Sequence, residues 1–346
     1  MTSSIYAQPP SNTQSVSGQL RLGYVTRDNS GGSTDTFAIG GKLGYHSKKY
    51  RGLSARVTFY TTNPVAGIDD DPLFLDTNGR GYSILGEAFI SADMPAKSAR
   101  TSLKLGRQQL DTPFADSDDV GMIPNTFEAM TIHNHSLVNT TLVAAHLHRW
   151  AGVDAPKPGK FSKMNDDNGV NVVAALYEPS DKWNLQGWHY NASNATDISY
   201  VEAAIHPSEK SGLSAQYATQ NGAGFEGDVW GVAAEYGIGG LSLSAAHNQV
   251  SGGQVSNGFG GGPFFTSAED HTIAEVDNQK ATLLGVEYGA SKKLSLAVTH
   301  VDFAKGEDEL DMSASYRLGK NLTVDLIYSD MDKDGKLSRA FINYNF

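Results

Sequence analysis

Residues Ser15 to Tyr24 read SVSGQLRLGY. Val16, Leu20, Leu22 and Tyr24 share one face of an extended chain, while Gln19 and Arg21 share the other, because successive side chains of a strand point to opposite sides. LSARVTFY, residues 53–60, repeats the pattern: Leu53, Ala55, Val57 and Phe59 oppose Ser54, Arg56 and Thr58. The same period of two recurs in YSILGEAFISA, TSLKLGRQ, VWGVAAEY, LSLSAAHN, LSLAVTH, LDMSASYR, LTVDLIYS and AFINYNF. Weaker instances lie near 37–46, 127–134, 140–150, 169–177, 183–190, 196–204, 212–218 and 280–288. These make about eighteen candidate strands, an even number. Each has roughly 19 residues for a strand and its connection, enough for the 9 to 11 residues that a tilted membrane-spanning strand needs.

Connection lengths sharpen the reading. Short links such as HSKKY, DMPAKSA, EPSDK, GASKK and LGKN interleave with longer polar segments around 61–81, 151–168, 219–227 and 249–278. Short turns at one end and long loops at the other are the rhythm of an antiparallel transmembrane barrel. A soluble β-sandwich also alternates along its strands but need not alternate its link lengths. Tyr24, Tyr45, Tyr82, Tyr236, Tyr288, Tyr316, Tyr328 and Tyr344 stand at strand ends, where aromatic girdles meet the membrane surfaces. The sequence therefore predicts an all-β fold, a transmembrane antiparallel barrel of about 18 strands. Residues 1–14 are expected to be a flexible end and residues 15–346 a single barrel domain.

Composition agrees. Among 346 residues there are 37 glycines, 10% aromatics and no cysteine, which excludes a disulfide framework. No run of about 18 apolar residues is present, so no helix is expected to cross a membrane, whereas a barrel hides its apolar band in alternate positions. The net charge of −11 argues against nucleic acid as a partner, since that needs a basic face.

One inter-strand segment stands apart. LGRQQLDTPFADSDDVGMIPNTFEAMTI, Leu105–Ile132, begins and ends as a strand, but its middle is neither a tight turn nor a helix and carries four aspartates. It follows the fifth candidate strand, so it is the third external loop, and a long acidic segment there can fold into the lumen and narrow it. Its pattern GRQQLDTPF...D...PNTFE resembles the corresponding region of the OprD-like family of outer-membrane, substrate-selective porins. The strand count, the link rhythm and the ending FINYNF extend that resemblance along nearly the whole chain. The resemblance implies a bacterial outer-membrane location and a third loop that forms the pore eyelet. It also implies a ladder of basic residues on the facing wall that guides carboxylate-bearing solutes. Carried onto this chain, Asp111, Asp116, Asp118 and Asp119 become candidate eyelet acids. Arg107, more than Lys104, is expected to pair with them.

Strand faces supply candidates for the basic wall. Arg21, Lys42, Arg56, Arg317 and Arg339 lie opposite the apolar residues of their strands, which are the first three and two of the last three. In a closed barrel these strands adjoin, and a charge facing a wet lumen avoids the roughly 2–4 kcal/mol cost of Arg or Lys at the lipid midplane. Acids facing bases across a constriction set up a transverse field that orients dipolar solutes.

Other motifs are weaker. DMDKDGKLS places Asp330, Asp332 and Asp334 as in a calcium loop, but the twelfth position is Phe341 instead of a bidentate Glu, so a polar hairpin turn is the simpler reading. His133 with His135, and His146 with His148, have a chelating spacing without an evident third ligand. Neither a metal nor a cofactor is expected. No spacing of Ser, His and acid selects a catalytic triad, so an enzyme is not expected either. The expected partners are small-molecule solutes together with outer-membrane lipid and lipopolysaccharide, for a barrel that is monomeric or a homotrimer. Passive admission of small water-soluble, carboxylate-bearing solutes is the expected function. A general porin filtering by size and charge is the alternative.

Overall fold

The computed structural model describes residues 14–65, 71–95, 100–222 and 224–346; the expected flexible end falls, up to residue 13, outside the described residues. Among the described residues, eighteen long strands form one sheet. They are β1 Ser15–Asn29, β2 Gly32–His46, β3 Leu53–Pro64, β4 Tyr82–Pro95, β5 Arg100–Gln108, β6 Thr126–Asn134, β7 Thr140–Ala151, β8 Val170–Ser180 and β9 Trp183–Ala192, then β10 Thr196–Ser208, β11 Ser211–Gly222, β12 Gly227–Ile238, β13 Leu241–Ser251, β14 Lys280–Gly289, β15 Leu294–Phe303, β16 Glu309–Arg317, β17 Leu322–Asp330 and β18 Lys336–Asn345. A two-residue piece, Ser162–Lys163, extends the sheet beside β7. Each strand pairs antiparallel with its sequence neighbours, and β1 pairs with β18 from Gln19↔Asn345 to Asp28↔Lys336, so the sheet closes.

The terminal residue takes part in that closure. Gly18 N donates to Phe346 O at 2.9 Å, and Phe346 N donates back to Gly18 O at 3.0 Å. A Cβ at Gly18 would overlap the Phe346 ring, so the glycine leaves the space in which that ring lies.

The alternation sorts as expected. Leu20, Leu43, Val57, Phe59, Leu105, Val173 and Leu284 are outward and exposed, whereas Arg21, Thr36, Thr58, Gln108, Gln216 and Asn248 are buried inside. Backbone polar groups inside the membrane are satisfied between strands, which is why a closed sheet can cross it. Tyr24, Tyr45, Tyr236, Tyr288, Tyr316 and Tyr344 are exposed on the outer face. Tyr82 and Tyr328 differ: Tyr82 packs against an interior cluster, and the Tyr328 hydroxyl donates to Asp330.

The nine external connections run 30–31, 65–81, 109–125, 152–169, 193–195, 223–226, 252–279, 304–308 and 331–335. The long link expected near 219–227 is instead short, because β11 and β12 run through Gly222 and from Gly227. A barrel of 16–18 strands is wide enough to leave an aqueous channel. Here the second, third and seventh loops supply apolar side chains to the interior. One cluster gathers Phe74, Leu75, Met122 and Ile123 with Tyr60 and Phe341. A second gathers Phe114, Phe264 and Ile273 with Trp188, Tyr190 and Tyr200.

Candidate functional site

The third loop is fastened at two places half a circumference apart. Asp111–Thr112 pairs with Ala115–Asp116 in a short hairpin, and its turn carries Phe114 into the wall. That ring is buried and meets Tyr190 on β9, Tyr200 on β10 and Phe264 of the seventh loop edge-on, at centroid distances of 5.7, 5.9 and 6.0 Å. Edge-to-face contacts of this kind add to the burial of apolar area.

At its other end the loop reaches β1, nine strands from β10. Arg21 Nη1 and Nη2 donate to the two oxygens of Asp119 at 2.8 and 3.0 Å, Nη1 donates to Gly121 O at 2.6 Å, and Nε donates to Asn343 Oδ1 at 2.8 Å. This bidentate, charge-assisted geometry is the strong form of the contact. Beside it, a Cβ on Gly23 would stand 2.6 Å from Met122 Sδ and 2.7 Å from the Phe74 ring, so the missing side chain is the seat of both loops.

The seventh loop lies against the third. Asp116 N donates to Phe259 O and Phe259 N to Phe114 O, both at 3.0 Å. Its acidic stretch is latched to the wall. Asp270 N and His271 N donate to the Glu309 carboxylate at 2.9 and 2.7 Å, and Glu269 N donates to Asp311 Oδ2 at 3.2 Å. Buried Arg339 reaches the Glu269 and Asp270 carboxylates at 2.9 and 3.5 Å.

The acids of the third loop thus differ in circumstance. Asp119 is gripped, and Asp111 is exposed at the hairpin. Asp116 and Asp118 are half-buried, and burial raises the pKa of both. Asp118 is pushed up to about 7, by burial first and then by the nearby carboxylates of Asp154, Asp116, Asp119 and Glu269. Asp154 comes from the fourth loop, and Asn125 Nδ2 of the third loop donates to it at 2.6 Å.

Closure brings the five basic positions to one side, on β16, β18, β1, β2 and β3. Their partners separate them. Arg21 and Arg339 hold loops, and Arg56 Nε faces buried Glu87 at 3.0 Å. Among the described residues Lys42 and Arg317 make no ion pair; Lys42 faces the mid-barrel and Arg317 stands at the short-turn rim beside Thr323.

Arg107 departs from its expected place. It pairs in register with Ala88 and Glu128 and shares its face with Leu105, so it points out of the barrel. It faces Glu128 at 3.5 Å and lies over the Phe161 ring at 4.2 Å, away from the acids of its own loop. Strand parity predicts this: the loop begins only after Gln108, and residue 107 still obeys the alternation. In the calcium-like turn, Asp330 takes Lys336 at 3.3 Å and Asp334 faces His271 at 3.4 Å. Sequence reading missed Glu269, Asp270 and Asp154, since a long loop's direction of fold leaves no periodic signal, and Glu87, which a bulge opposite Thr58 and Phe59 turns inward on β4.

A closed barrel with an inward third loop sets a narrow expectation for the family, and the family model described as outer membrane porin, OprD family, matches residues 75–291. The chain belongs to the OprD family of outer membrane porins. Its location is accordingly the bacterial outer membrane. Solved OprD-type structures match over nearly the full length. OpdK of Pseudomonas aeruginosa with vanillate superposes with a TM-score of 0.82 at 17% identity, covering 96% of this chain and 98% of that one. A BenF-like porin from Pseudomonas fluorescens Pf-5 gives 0.80 at 16%, and OccAB4 of Acinetobacter baumannii 0.78 at 13%, each with the same coverage of 96% and 98%. No curated protein matches the sequence significantly. At these identities the likeness to OprD-type structures is one of fold, and the family's members are channels, not enzymes.

Proposed function

We propose that the chain admits small water-soluble, carboxylate-bearing solutes by passive diffusion, with the third loop as the narrowest point. The observation that carries this is the double fastening of that loop, to Tyr190 and Tyr200 on one wall and to Arg21 on the opposite one. A segment tied to both sides of a lumen divides it. Asp111, Asp116 and Asp118 then supply the negative side of the constriction, and Lys42, Arg56 and Arg317 the positive side. In this reading Arg21 and Arg339 shape the passage by holding loops, and solute carboxylates meet the remaining cations weakly enough to move on, as multi-site conduction requires. The relative solved with vanillate, an aromatic carboxylate, supports this chemistry. The pore lies within one chain, so each barrel conducts by itself, as a monomer or within a homotrimer, while its outer band faces outer-membrane lipid and lipopolysaccharide.

A general size- and charge-filtering porin is the second reading. It is favoured by one observation: three of the five cations on the basic wall are already matched by carboxylates. Liposome swelling with amino acids, aromatic acids and neutral sugars of equal size separates the two. Under the first reading, Lys42→Gln or Arg317→Gln slows the carboxylates about tenfold, the worth of one lost charge-assisted contact, and leaves the sugars alone. Equal losses for both solute classes leave a general filter.

A further inference from the structure

The outward position of Arg107 belongs to a row of paired residues crossing five long strands and the short Ser162–Lys163 piece. Val57 pairs with Ala88, Ala88 with Arg107, Arg107 with Glu128, Glu128 with Arg149, and Arg149 with Lys163. Partners in an antiparallel sheet share a face. The row therefore lies on the lipid side throughout: Val57 is 46% exposed, and the neighbours of Arg149 and Glu128 along their strands, Trp150 and Phe127, are buried and stacked inside the barrel. It begins in the apolar band and ends in charge.

The level of these charges follows from the rung below. Two residues down β5 and β6 stand Leu105 and Met130, exposed and apolar, with Val173 nearby on β8; on β7 the bulge turns Leu147 inward, and the residue paired with Met130 is His146. Arg107, Arg149 and Lys163 are therefore one rung, about 7 Å of strand, beyond the outer edge of the apolar band, where headgroups begin. Cations near that interface cost little, unlike those at the midplane.

One of the three cations, Arg149, is left without an ion pair among the described residues. Its Nε is buried with no hydrogen-bond partner. Arg107 meets Glu128 at 3.5 Å and is fixed on the Phe161 ring, and Lys163 pairs with exposed Asp167. His148, the extra residue of the bulge between Glu128 and Ala129, stacks on His146 beside them.

We propose that Arg149, flanked by Arg107 and Lys163, binds the phosphate of an outer-leaflet phosphorylated glycolipid on the outer wall of the barrel. Guanidinium groups suit this task because their planar fork matches phosphate oxygens. Acyl chains would descend over Leu105, Met130 and Val173, which is what ties the phosphate to a lipid. The inference requires the outer-membrane location alone, so it stands or falls separately from the carboxylate reading of the pore.

Native mass spectrometry of the full chain, released from vesicles containing either bisphosphorylated lipid A or lipid A stripped of phosphate, tests it. The phosphorylated lipid should be retained and the stripped lipid lost. Arg149→Gln and Lys163→Gln should each lower retention about tenfold, the loss of one charge-assisted contact. Arg149→Lys should recover part of it, and Glu128→Gln should raise it by removing a competing carboxylate. Heat-modifiable gel migration and single-channel conductance should be unchanged, because these groups face away from the pore. If Arg149→Gln does not fold, the three remaining variants carry the test. Equal retention of the stripped lipid, unchanged retention in the folded variants, or displacement by excess inorganic phosphate would each overturn the assignment.

Discussion

Arg21 Nη1 and Nη2 hold the two oxygens of Asp119 at 2.8 and 3.0 Å, joining the first strand of the barrel to a loop that leaves it four strands away. The guanidinium spends two further donors on Gly121 and Asn343, so one Nη2 hydrogen of its five is left for a passing solute. Asp119→Asn keeps the shape and removes the charge. Hydrogen bonds to charged groups are worth about 1.5–3 kcal/mol, and the 42% exposure of Asp119 puts this one at the lower end. Single-channel traces of the variant should flicker and the loop should become cleavable by protease, with the barrel still heat-modifiable. A trace as quiet as wild type would mean that the clamp does not hold the loop.

Asp118 should make selectivity pH-dependent. With its pKa pushed up to about 7, it is largely protonated one unit below and ionised one unit above. Cation permeability measured by reversal potential should therefore rise with a midpoint near 7, and Asp118→Asn should flatten the curve. Linkage gives the accompanying sign. The folded loop holds a proton that the undocked loop would release in the ordinary carboxylate range, so docking weakens as pH climbs from that range to about 7 and is level above it. Protease sensitivity of the loop should follow the same profile.

Phe114→Ala removes the other fastening. Truncating a buried Phe costs about 3–5 kcal/mol, here taken mostly from loop docking because the ring belongs to the loop and not to the sheet. The expected result is a larger conductance with weaker discrimination among solutes. Unchanged conductance would show that the third loop does not set the width.

Arg339→Gln leaves the carboxylates of Glu269 and Asp270 facing each other without a cation. The seventh loop should loosen, and hydrogen exchange should rise at the amides of Asp270 and His271, which donate to Glu309. Because this loop pairs with the third through Phe259, current noise should rise as well.

Gly18→Val places a branched side chain where the Phe346 ring lies. Closure of β1 on β18 should be impaired, read as loss of heat-modifiable migration after refolding, while deletion of Phe346 in the same variant should restore part of it.

Strand number and the two faces were legible in the sequence because membrane burial imposes a period of two on every stave, from SVSGQLRLGY to FINYNF, whereas the pairing of β1 with β18 was assumed there and is displayed by the structure. The acids of the third loop were legible as well, since four aspartates between two strands have no apolar role. What the sequence could not decide was pairing. Arg21 and Asp119 stand 98 positions apart, and Arg339 and Glu269 70, and no local pattern records which cation meets which carboxylate. Only the tertiary structure turns the supposed rungs Arg21 and Arg339 into loop clamps and brings the seventh loop inward. Charge pairing depends on distance across the lumen, and alternation along a strand carries no information about that distance.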